Sequence, residues 1–300
     1  MLLFICVVLY FFSVAFVRLN PKKVKTIDTT IDDALKPYSA LLKKGEDFIK
    51  NTPHKWCYTK SFDGIKLAGR YYDNNSSCTV FLFHGYRSNA THDFSCAVQM
   101  YYDMGFNVFM PDQRAHGKSE GKLITFGVKE SRDVVTWTEY INRKYATKQL
   151  IITGISMGAT TVLLSLKHNL PKNVMGVIAD CGFTSPEEII VKVGKDAYKV
   201  NPTFFIPFLD CACKLIGGFS IRNQSTIDAV KNTELPIFFI HGKKDNFVPC
   251  EMSEKTFSCC KENCRIFISA EAGHGLSFLT DTDTVLSEIK SFLTYCIKNI

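Results

Sequence analysis

One serine of this sequence lies in a pattern that could make it a nucleophile. Ser156 is the centre of Gly154-Ile155-Ser156-Met157-Gly158, which follows the apolar stretch 150–153 and precedes a helical pattern over 157–169. In a G-x-S-x-G turn between a strand and a helix, the serine hydroxyl is pushed out of the sheet, and the glycines leave room for the turn. The motif predicts attack by Ser156 on an acyl carbon; the alternative is a glycine-rich turn with a solvent-exposed serine.

A serine hydroxyl needs a base, and that base needs a third group to orient it. Asp245 follows the apolar stretch 236–240, and His274 follows the apolar stretch 265–268. Both therefore lie in loops after strands, in the chain order serine, acid, histidine that accompanies this motif. We predict that His274 is the base and that Asp245 orients it, with Asp180, at the end of another apolar stretch, as the alternative acid.

Other histidines fit catalysis less well. His84 and His241 each precede a glycine at a strand end, where they are expected to shape turns. His116 comes before Ser156 in the chain, which is the wrong order for the base.

An oxyanion hole requires backbone N–H groups that point to the developing negative charge. One donor follows the nucleophile, which predicts the N–H of Met157. The second comes from a loop after an earlier strand, and the run 84–89 predicts the N–H of Tyr86. The Tyr86 ring could instead, or in addition, line the pocket.

These residues require a sheet whose strand ends meet at one edge. Short apolar strands alternate with helical patterns from about residue 55 onward. This predicts an α/β fold in which a mostly parallel sheet is covered by helices on both faces. The predicted strands are 56–62, 65–72, 79–83, 107–110, 150–153, 174–179, 236–240 and 265–268, and the predicted helices are 92–103, 130–145, 157–169, 250–261 and 282–297.

Composition argues against a disordered chain and against a nucleic-acid-binding protein. The 300 residues are 46% hydrophobic and 22% charged, which suits a large globular core. The net charge of +7 is small, and residues 18–60 carry ten basic and five acidic side chains, so most of the excess lies there. We therefore expect no nucleic-acid partner. The twelve cysteines lack the spacing of a zinc site and favour a reducing compartment.

The first 17 residues are almost wholly apolar, and basic residues follow them. Their length is near the minimum for a membrane span, of about 17 residues. We predict a single-pass anchor at 1–17, a basic helical connector at 18–54, and a catalytic body on the cytoplasmic side. The alternative is a signal-like segment, with the protein extracytoplasmic or secreted, because Ser13-Val14-Ala15 fits a cleavage site.

Five motifs together resemble the α/β-hydrolases of the serine aminopeptidase-like and acyl-esterase-like group, across roughly residues 55–300. They are His84-Gly85-Tyr86, Asp112-Gln113-Arg114-Ala115-His116-Gly117-Lys118-Ser119, Gly154-x-Ser156-x-Gly158, His241-Gly242-x-x-Asp245-x-x-Val248-Pro249 and Gly273-His274. The resemblance implies an α/β-hydrolase fold with a small helical cap inserted at about 183–232. Ala115 stands at a position where many members of this group have glycine. We expect an ion pair between Arg114 and Asp112 to brace the loop 112–119.

The resemblance implies a serine hydrolase that cleaves an ester or thioester through an acyl-enzyme. An aminopeptidase-like amide hydrolase and an acyltransferase share the same triad and stay open as alternatives, as does a non-catalytic binding module. No metal or organic cofactor is needed for this chemistry. The expected partners are a small-molecule or lipid-like acyl substrate and, through the N-terminal segment, a membrane.

Overall fold

Eight strands form one sheet in the computed structural model, which describes residues 2–19, 34–199 and 201–298. The strands are β1 Lys55–Lys60, β2 Lys66–Tyr72, β3 Cys78–Phe83, β4 Asn107–Asp112, β5 Gln149–Ile155, β6 Val174–Asp180, β7 Ile237–Gly242 and β8 Arg265–Ser269. Their order is β1-β2-β4-β3-β5-β6-β7-β8. The β1–β2 and β2–β4 pairs are antiparallel and the others are parallel, which confirms the predicted, mostly parallel sheet.

The α-helices fill the connections between these strands and both ends of the chain. They are α1 Leu2–Phe16, α2 Ser39–Asn51, α3 Ala90–Asp103, α4 Glu130–Tyr145, α5 Met157–Ser165, α6 Pro186–Tyr198, α7 Ile206–Ala212, α8 Thr226–Lys231, α9 Cys250–Phe257, α10 Ser277–Thr280 and α11 Thr282–Lys298. The five helices expected within the sheet domain are all present, and α5 and α9 each end four residues earlier than predicted.

Two apolar cores cover the two faces of the sheet. Alternate residues of β3 point to opposite faces, because side chains alternate along a strand. Leu82 joins the core formed with α3 and α11, whereas Phe83 joins the core formed with α4 and α5. Every residue of β3, β4 and β7 is buried, as expected for strands with helices on both sides.

The predicted connector is helical only in part. A 3-10 turn at Lys36–Tyr38 contains Pro37 and precedes α2. Proline fits the first turn of a helix but not its interior, which explains the division at this point. Helix α2 packs closely on α3, since a Cβ on Gly45 would collide with the backbone carbonyl of Ser95. The part of the connector at 20–33 lies outside the described residues.

The expectation of a single-pass membrane anchor is wrong. Helix α1 has 15 residues, about 22 Å at 1.5 Å per residue, against a bilayer core of about 30 Å. Within the described ranges, no helix combines the length and the apolar character needed to cross a membrane. The sequence shows that residues 1–17 are apolar, which suggested a membrane span. It does not show that the helix ends at Phe16.

Helix α1 instead packs on the body of the protein. Val8, Phe12 and Phe16 are buried in a third apolar core that also contains Met157. At the end of α1, Val17 forms a β-bridge with Leu123. The helix is therefore a structural part of the domain, on the side of the sheet edge where α5 begins.

The segment expected to form a cap contains α6, α7 and α8, a 3-10 turn at Pro202–Phe205 and a π-helical turn at Cys213–Gly217. Side chains of α6 and α7, including Ile189, Ile206 and Leu209, belong to the same core as α1. The limits 183–232 of a cap stay a prediction.

The expected ion pair between Arg114 and Asp112 is wrong. The Arg114 guanidinium binds both carboxylate oxygens of Asp133, each at 2.6 Å, and also binds Asp63 at 2.9 Å. The Asp112 carboxylate accepts the backbone N–H of Lys118 at 2.9 Å. The Asp112 carboxylate lies inside the turn that contains Gly117, and a Cβ on Gly117 would collide with it. Asp112 therefore supports that turn directly, whereas Arg114 pairs with Asp133 and Asp63.

Candidate active site

Ser156 lies in a sharp turn between β5 and α5. Its backbone has φ 54° and ψ −119°, a region that residues with a side chain rarely adopt and that concentrates at functional sites. The Ser156 N–H donates to the carbonyl of Asp180 at 2.8 Å. A Cβ on Gly154 would collide with the Gly158 carbonyl, and one on Gly158 would collide with the Phe83 carbonyl. Both glycines of the motif are therefore required by close backbone contacts.

The structure brings Ser156, His274 and Asp245 into one hydrogen-bonded line. The distance from Ser156 Oγ to His274 Nε2 is 3.0 Å, and that from His274 Nδ1 to Asp245 Oδ2 is 2.7 Å. Because a carboxylate only accepts, Nδ1 carries the proton that bonds Asp245. This tautomer leaves Nε2 free to accept the proton of the Ser156 hydroxyl.

Asp245 is held as an ionised acceptor by several donors. Its Oδ1 accepts the backbone N–H groups of Phe247 at 2.9 Å and Val248 at 2.8 Å. Burial acts to raise the pKa of Asp245, but hydrogen bonds from His241 and His274 outweigh burial and hold that pKa below its ordinary range. The carboxylate can therefore stabilise positive charge on His274.

His241 is a functional contact that sequence reasoning missed, since it was expected only to shape a turn. Its Nε2 lies 3.1 Å from Asp245 Oδ2 and 2.9 Å from the Val248 carbonyl. Both partners accept, so Nε2 carries the proton and Nδ1 accepts the hydroxyl of Ser253 at 2.7 Å. A usable signal was its place near the end of β7, four residues before Asp245.

Asp180, the alternative acid, is not the carboxylate that bonds His274 in the described chain. Its backbone carbonyl supports the Ser156 turn, and its Oδ1 is buried with no hydrogen-bond partner among the residues that the structure describes. Burial raises the pKa of Asp180 to about 6. The carboxyl group therefore lies next to the site but outside the Ser156–His274–Asp245 line.

His84 and His116 both have structural contacts. His84 Nε2 accepts the backbone N–H of Gln113 at 3.1 Å. His116 Nε2 accepts the backbone N–H of Arg87 at 3.1 Å, and burial lowers the pKa of His116 to about 3. A neutral His116 therefore supports the loop that carries Tyr86.

A second residue missed from the sequence, Asp93, fixes the loop 84–89. Its carboxylate accepts the N–H of Gly85 at 2.7 Å and the hydroxyl of Ser88 at 2.5 Å. Burial raises the pKa of Asp93, but hydrogen bonds from His92 and Ser88 bring it below its ordinary value. The signal available in the sequence was an acidic residue in the first turn of α3, just after Asn89, which caps that helix.

The two residues predicted to supply oxyanion donors are both near Ser156, since Met157 follows it in the chain and Tyr86 lines the same two cavities. Met157 is the first residue of α5, where backbone N–H groups have no partner within the helix. The Tyr86 hydroxyl donates to the Ala15 carbonyl of α1 at 2.7 Å, and burial raises the pKa of Tyr86 to about 12. Tyr86 lines the pocket, which was one of the two roles considered for it. The role of the Tyr86 and Met157 N–H groups as oxyanion donors stays a prediction.

Two cavities meet at Ser156. The larger, about 740 Å³, has a mostly apolar lining, but it includes more polar groups than the smaller cavity, among them His274, Ser88, Asp93 and Asn246. The smaller, about 330 Å³, also has a mostly apolar lining, more than half of which comes from α1, α6 and α7, and Arg87 is among its polar lining residues. Ser156 and Tyr86 line both, whereas His274 lines only the larger one.

One group among the described residues has metal-ligand geometry. Potential ligand atoms of Cys181, Asp245 and His274 lie within 4.8 Å of one another. Burial raises the pKa of Cys181 well above its ordinary value, which opposes the thiolate form that metals bind. The two other members already bond to each other, so the group does not fit a metal site.

Comparisons with known proteins agree with this architecture. A family model described as serine aminopeptidase, S33, matches residues 74–232. The uncharacterised Bacillus subtilis protein YqkD is 28% identical over 216 residues, 72% of this chain and 70% of that relative. An Arabidopsis thaliana α/β-hydrolase domain-containing protein, WAV2, is 26% identical over 64% of this chain and 62% of its own length. The Pyrococcus furiosus esterase Pf2001 superposes with a TM-score of 0.68 at 25% identity, covering 81% of this chain and 93% of that one.

Proposed function

The chain belongs to the serine aminopeptidase (S33) family of α/β-hydrolase enzymes, and from this premise we propose that it hydrolyses carboxylic esters or thioesters through an acyl-enzyme on Ser156. The observation that carries the proposal is the hydrogen-bonded line from Ser156 Oγ through His274 to Asp245. The esterase neighbour Pf2001 supports the same class of reaction.

In the acylation half, Ser156 Oγ attacks the carbonyl carbon while His274 Nε2 takes the hydroxyl proton. Asp245 keeps the imidazole in the required tautomer and stabilises its positive charge. The N–H groups of Met157 and Tyr86 stabilise the oxyanion of the tetrahedral intermediate. When that intermediate collapses, the bond to the leaving oxygen or sulfur breaks, and His274 donates its proton to the leaving group.

In the deacylation half, water takes the place of the leaving group. His274 Nε2 accepts a proton from water as its oxygen attacks the acyl carbon. The bond to Ser156 Oγ then breaks, and Oγ recovers its proton from His274. An acyltransferase would follow the same path with an alcohol in place of water, so the acceptor distinguishes the two activities.

Amide hydrolysis is the second candidate, because the matching family model carries an aminopeptidase description. An aminopeptidase must bind the α-ammonium group of its substrate, which needs an available acceptor. Asp93 is committed to Gly85 and Ser88, and Asp180 lines the larger cavity, not the smaller one. The smaller cavity is almost entirely apolar. An uncharged acyl group therefore fits the smaller cavity better than an aminoacyl group, which favours esters over aminoacyl amides.

The test combines active-site labelling with a substrate panel. A fluorophosphonate probe should label the wild type and the exposed-site control Ser258→Ala, but not Ser156→Ala. The wild type should hydrolyse p-nitrophenyl esters and leave aminoacyl p-nitroanilides nearly untouched. Equal labelling of the two serine variants would refute the nucleophile, and a preference for the anilides would replace the ester assignment by the amide one.

A further inference from the structure

Helix α1 faces the smaller cavity with one side only. Val8, Phe11 and Ala15 line that cavity, and their spacing places them on one face of a helix. Leu9 and Tyr10, which point elsewhere, are 44% and 59% exposed. The inward face of α1 is thus a wall of the cavity that ends at Ser156.

Helix α6 forms a wall of the same cavity. Ile190, Val193 and Ala197 line it, again at a spacing that belongs to one helical face. The walls of α1 and α6 are apolar, and the Tyr86 hydroxyl at the Ser156 end is already bonded to the Ala15 carbonyl. Arg87 also lines the cavity, and its guanidinium donates to the Val14 carbonyl at 2.6 Å and the Val17 carbonyl at 3.1 Å. The cavity therefore offers an apolar ligand burial against mostly apolar walls.

The position of His274 decides which part of an ester would enter this cavity. The leaving oxygen receives its proton from His274 Nε2, and His274 lines only the larger cavity. The leaving alcohol and the incoming water must therefore lie on the side of the larger, more polar cavity. The acyl chain, which stays on Ser156 during deacylation, extends to the other side.

We infer that α1 and α6 form the binding site for a linear, medium-length acyl chain, and that Val8, Phe11 and Ala15 limit its length. The inference rests on the proposed ester hydrolysis. Along α1, Ala15 is tied to Tyr86 beside the catalytic serine, and Val8 lies two turns away. The seven residue steps from Val8 to Ala15 span about 10 Å, which is of the order of the length of an octanoyl chain.

The experiment measures kcat/KM on p-nitrophenyl acetate, butyrate, octanoate and dodecanoate. In the wild type, kcat/KM should rise by up to about fourfold per added methylene and reach its maximum near octanoate. Val8→Trp, which fills the distal end of the cavity, should lower the octanoate-to-acetate ratio by about tenfold or more. Leu9→Trp, the matched change on the exposed face of α1, should keep the wild-type ratio.

Phe11→Ala enlarges the cavity and provides a second test should Val8→Trp fail to fold. This variant should move the maximum toward dodecanoate. A ratio that is the same in the wild type, Val8→Trp and Phe11→Ala would overturn the acyl-site inference while leaving ester hydrolysis intact. Hydrolysis of all four esters by Ser156→Ala would instead refute the proposed function, so the two failures are distinct.

Discussion

The loops at the carboxyl edge of the sheet and the walls of the smaller cavity differ in what holds their side chains. Asp245 accepts backbone N–H groups on Oδ1 and histidine N–H groups on Oδ2. Ser156 lies in a turn that leaves no room for a Cβ on either glycine of its motif. The walls of the smaller cavity consist instead of apolar faces of α1 and α6, whose side chains belong to one packed apolar core.

This difference separates reaction from selectivity. Hydrogen bonds have directional geometry, so a single lost contact at the sheet edge should affect the chemical step. Packing between apolar faces tolerates replacement by residues of similar volume, so changes in the walls should alter which substrate is bound.

Breaking the sheet edge at its base should have the largest effect. His274→Ala removes the group that takes the Ser156 proton and should reduce kcat/KM on a short ester by about 10⁵-fold. The circular dichroism spectrum and the melting temperature should stay close to those of the wild type. His54→Ala, far along the chain from the triad, is the control, and a loss of less than tenfold in His274→Ala would contradict the assigned base.

Sequence patterns predicted this edge well for a physical reason. Ser156, Asp245 and His274 each follow a strand of the parallel part of the sheet, and parallel strands bring their carboxyl ends together. His241 and Asp93 were missed because their importance comes from contacts to Asp245 and to the loop 84–89, which local patterns do not contain. The N-terminal run was misread because apolar composition alone does not distinguish a helix that packs on protein from one that crosses lipid.

A stability measurement tests whether the edge carries an electrostatic cost beside the triad. Burial raises the pKa of Asp180 from 3.8 to about 6, so the unfolded chain releases this proton at a lower pH than the folded one. The free energy of unfolding therefore falls as pH rises from about 4 to about 6, and the full cost is present above that range.

Asp180→Asn removes this ionisation with little change in shape. It should raise the free energy of unfolding at pH 8 by up to about 3 kcal/mol and change it little at pH 4. Urea denaturation at both pH values measures the difference. If Asp180→Asn instead changes the free energy of unfolding by the same amount at pH 8 and at pH 4, the charge on Asp180 costs the folded protein nothing, which would contradict this account.

His241→Phe sharpens the comparison by changing a positioning residue behind the triad to a ring without a hydrogen-bond donor. Loss of the donor at 3.1 Å should raise the pKa of Asp245 and so move the acidic limb of the kcat/KM–pH profile to higher pH. The expected loss in kcat/KM at pH 7 is about tenfold. A merely structural role for His241 would lower stability without moving that limb, and would contradict the assignment.

The smallest effect is expected where the two regions meet. Tyr86→Phe removes the hydroxyl that donates to the Ala15 carbonyl of α1, and should lower the free energy of unfolding by about 1 kcal/mol. The variant keeps the Tyr86 N–H, which is the proposed oxyanion donor. We therefore expect kcat/KM on p-nitrophenyl acetate to change by less than about threefold. A loss on acetate of a hundredfold would mean that α1 controls the oxyanion loop itself.

The most direct test of the account is to trap the acyl-enzyme. Wild-type protein is mixed rapidly with p-nitrophenyl butyrate, quenched in acid within the first turnover, and digested for mass spectrometry. We predict a butyryl adduct on the peptide that contains Ser156, together with a burst of nitrophenol if deacylation is the slower step. An adduct on another residue, or ester turnover that persists undiminished in Ser156→Ala, would contradict the central claim.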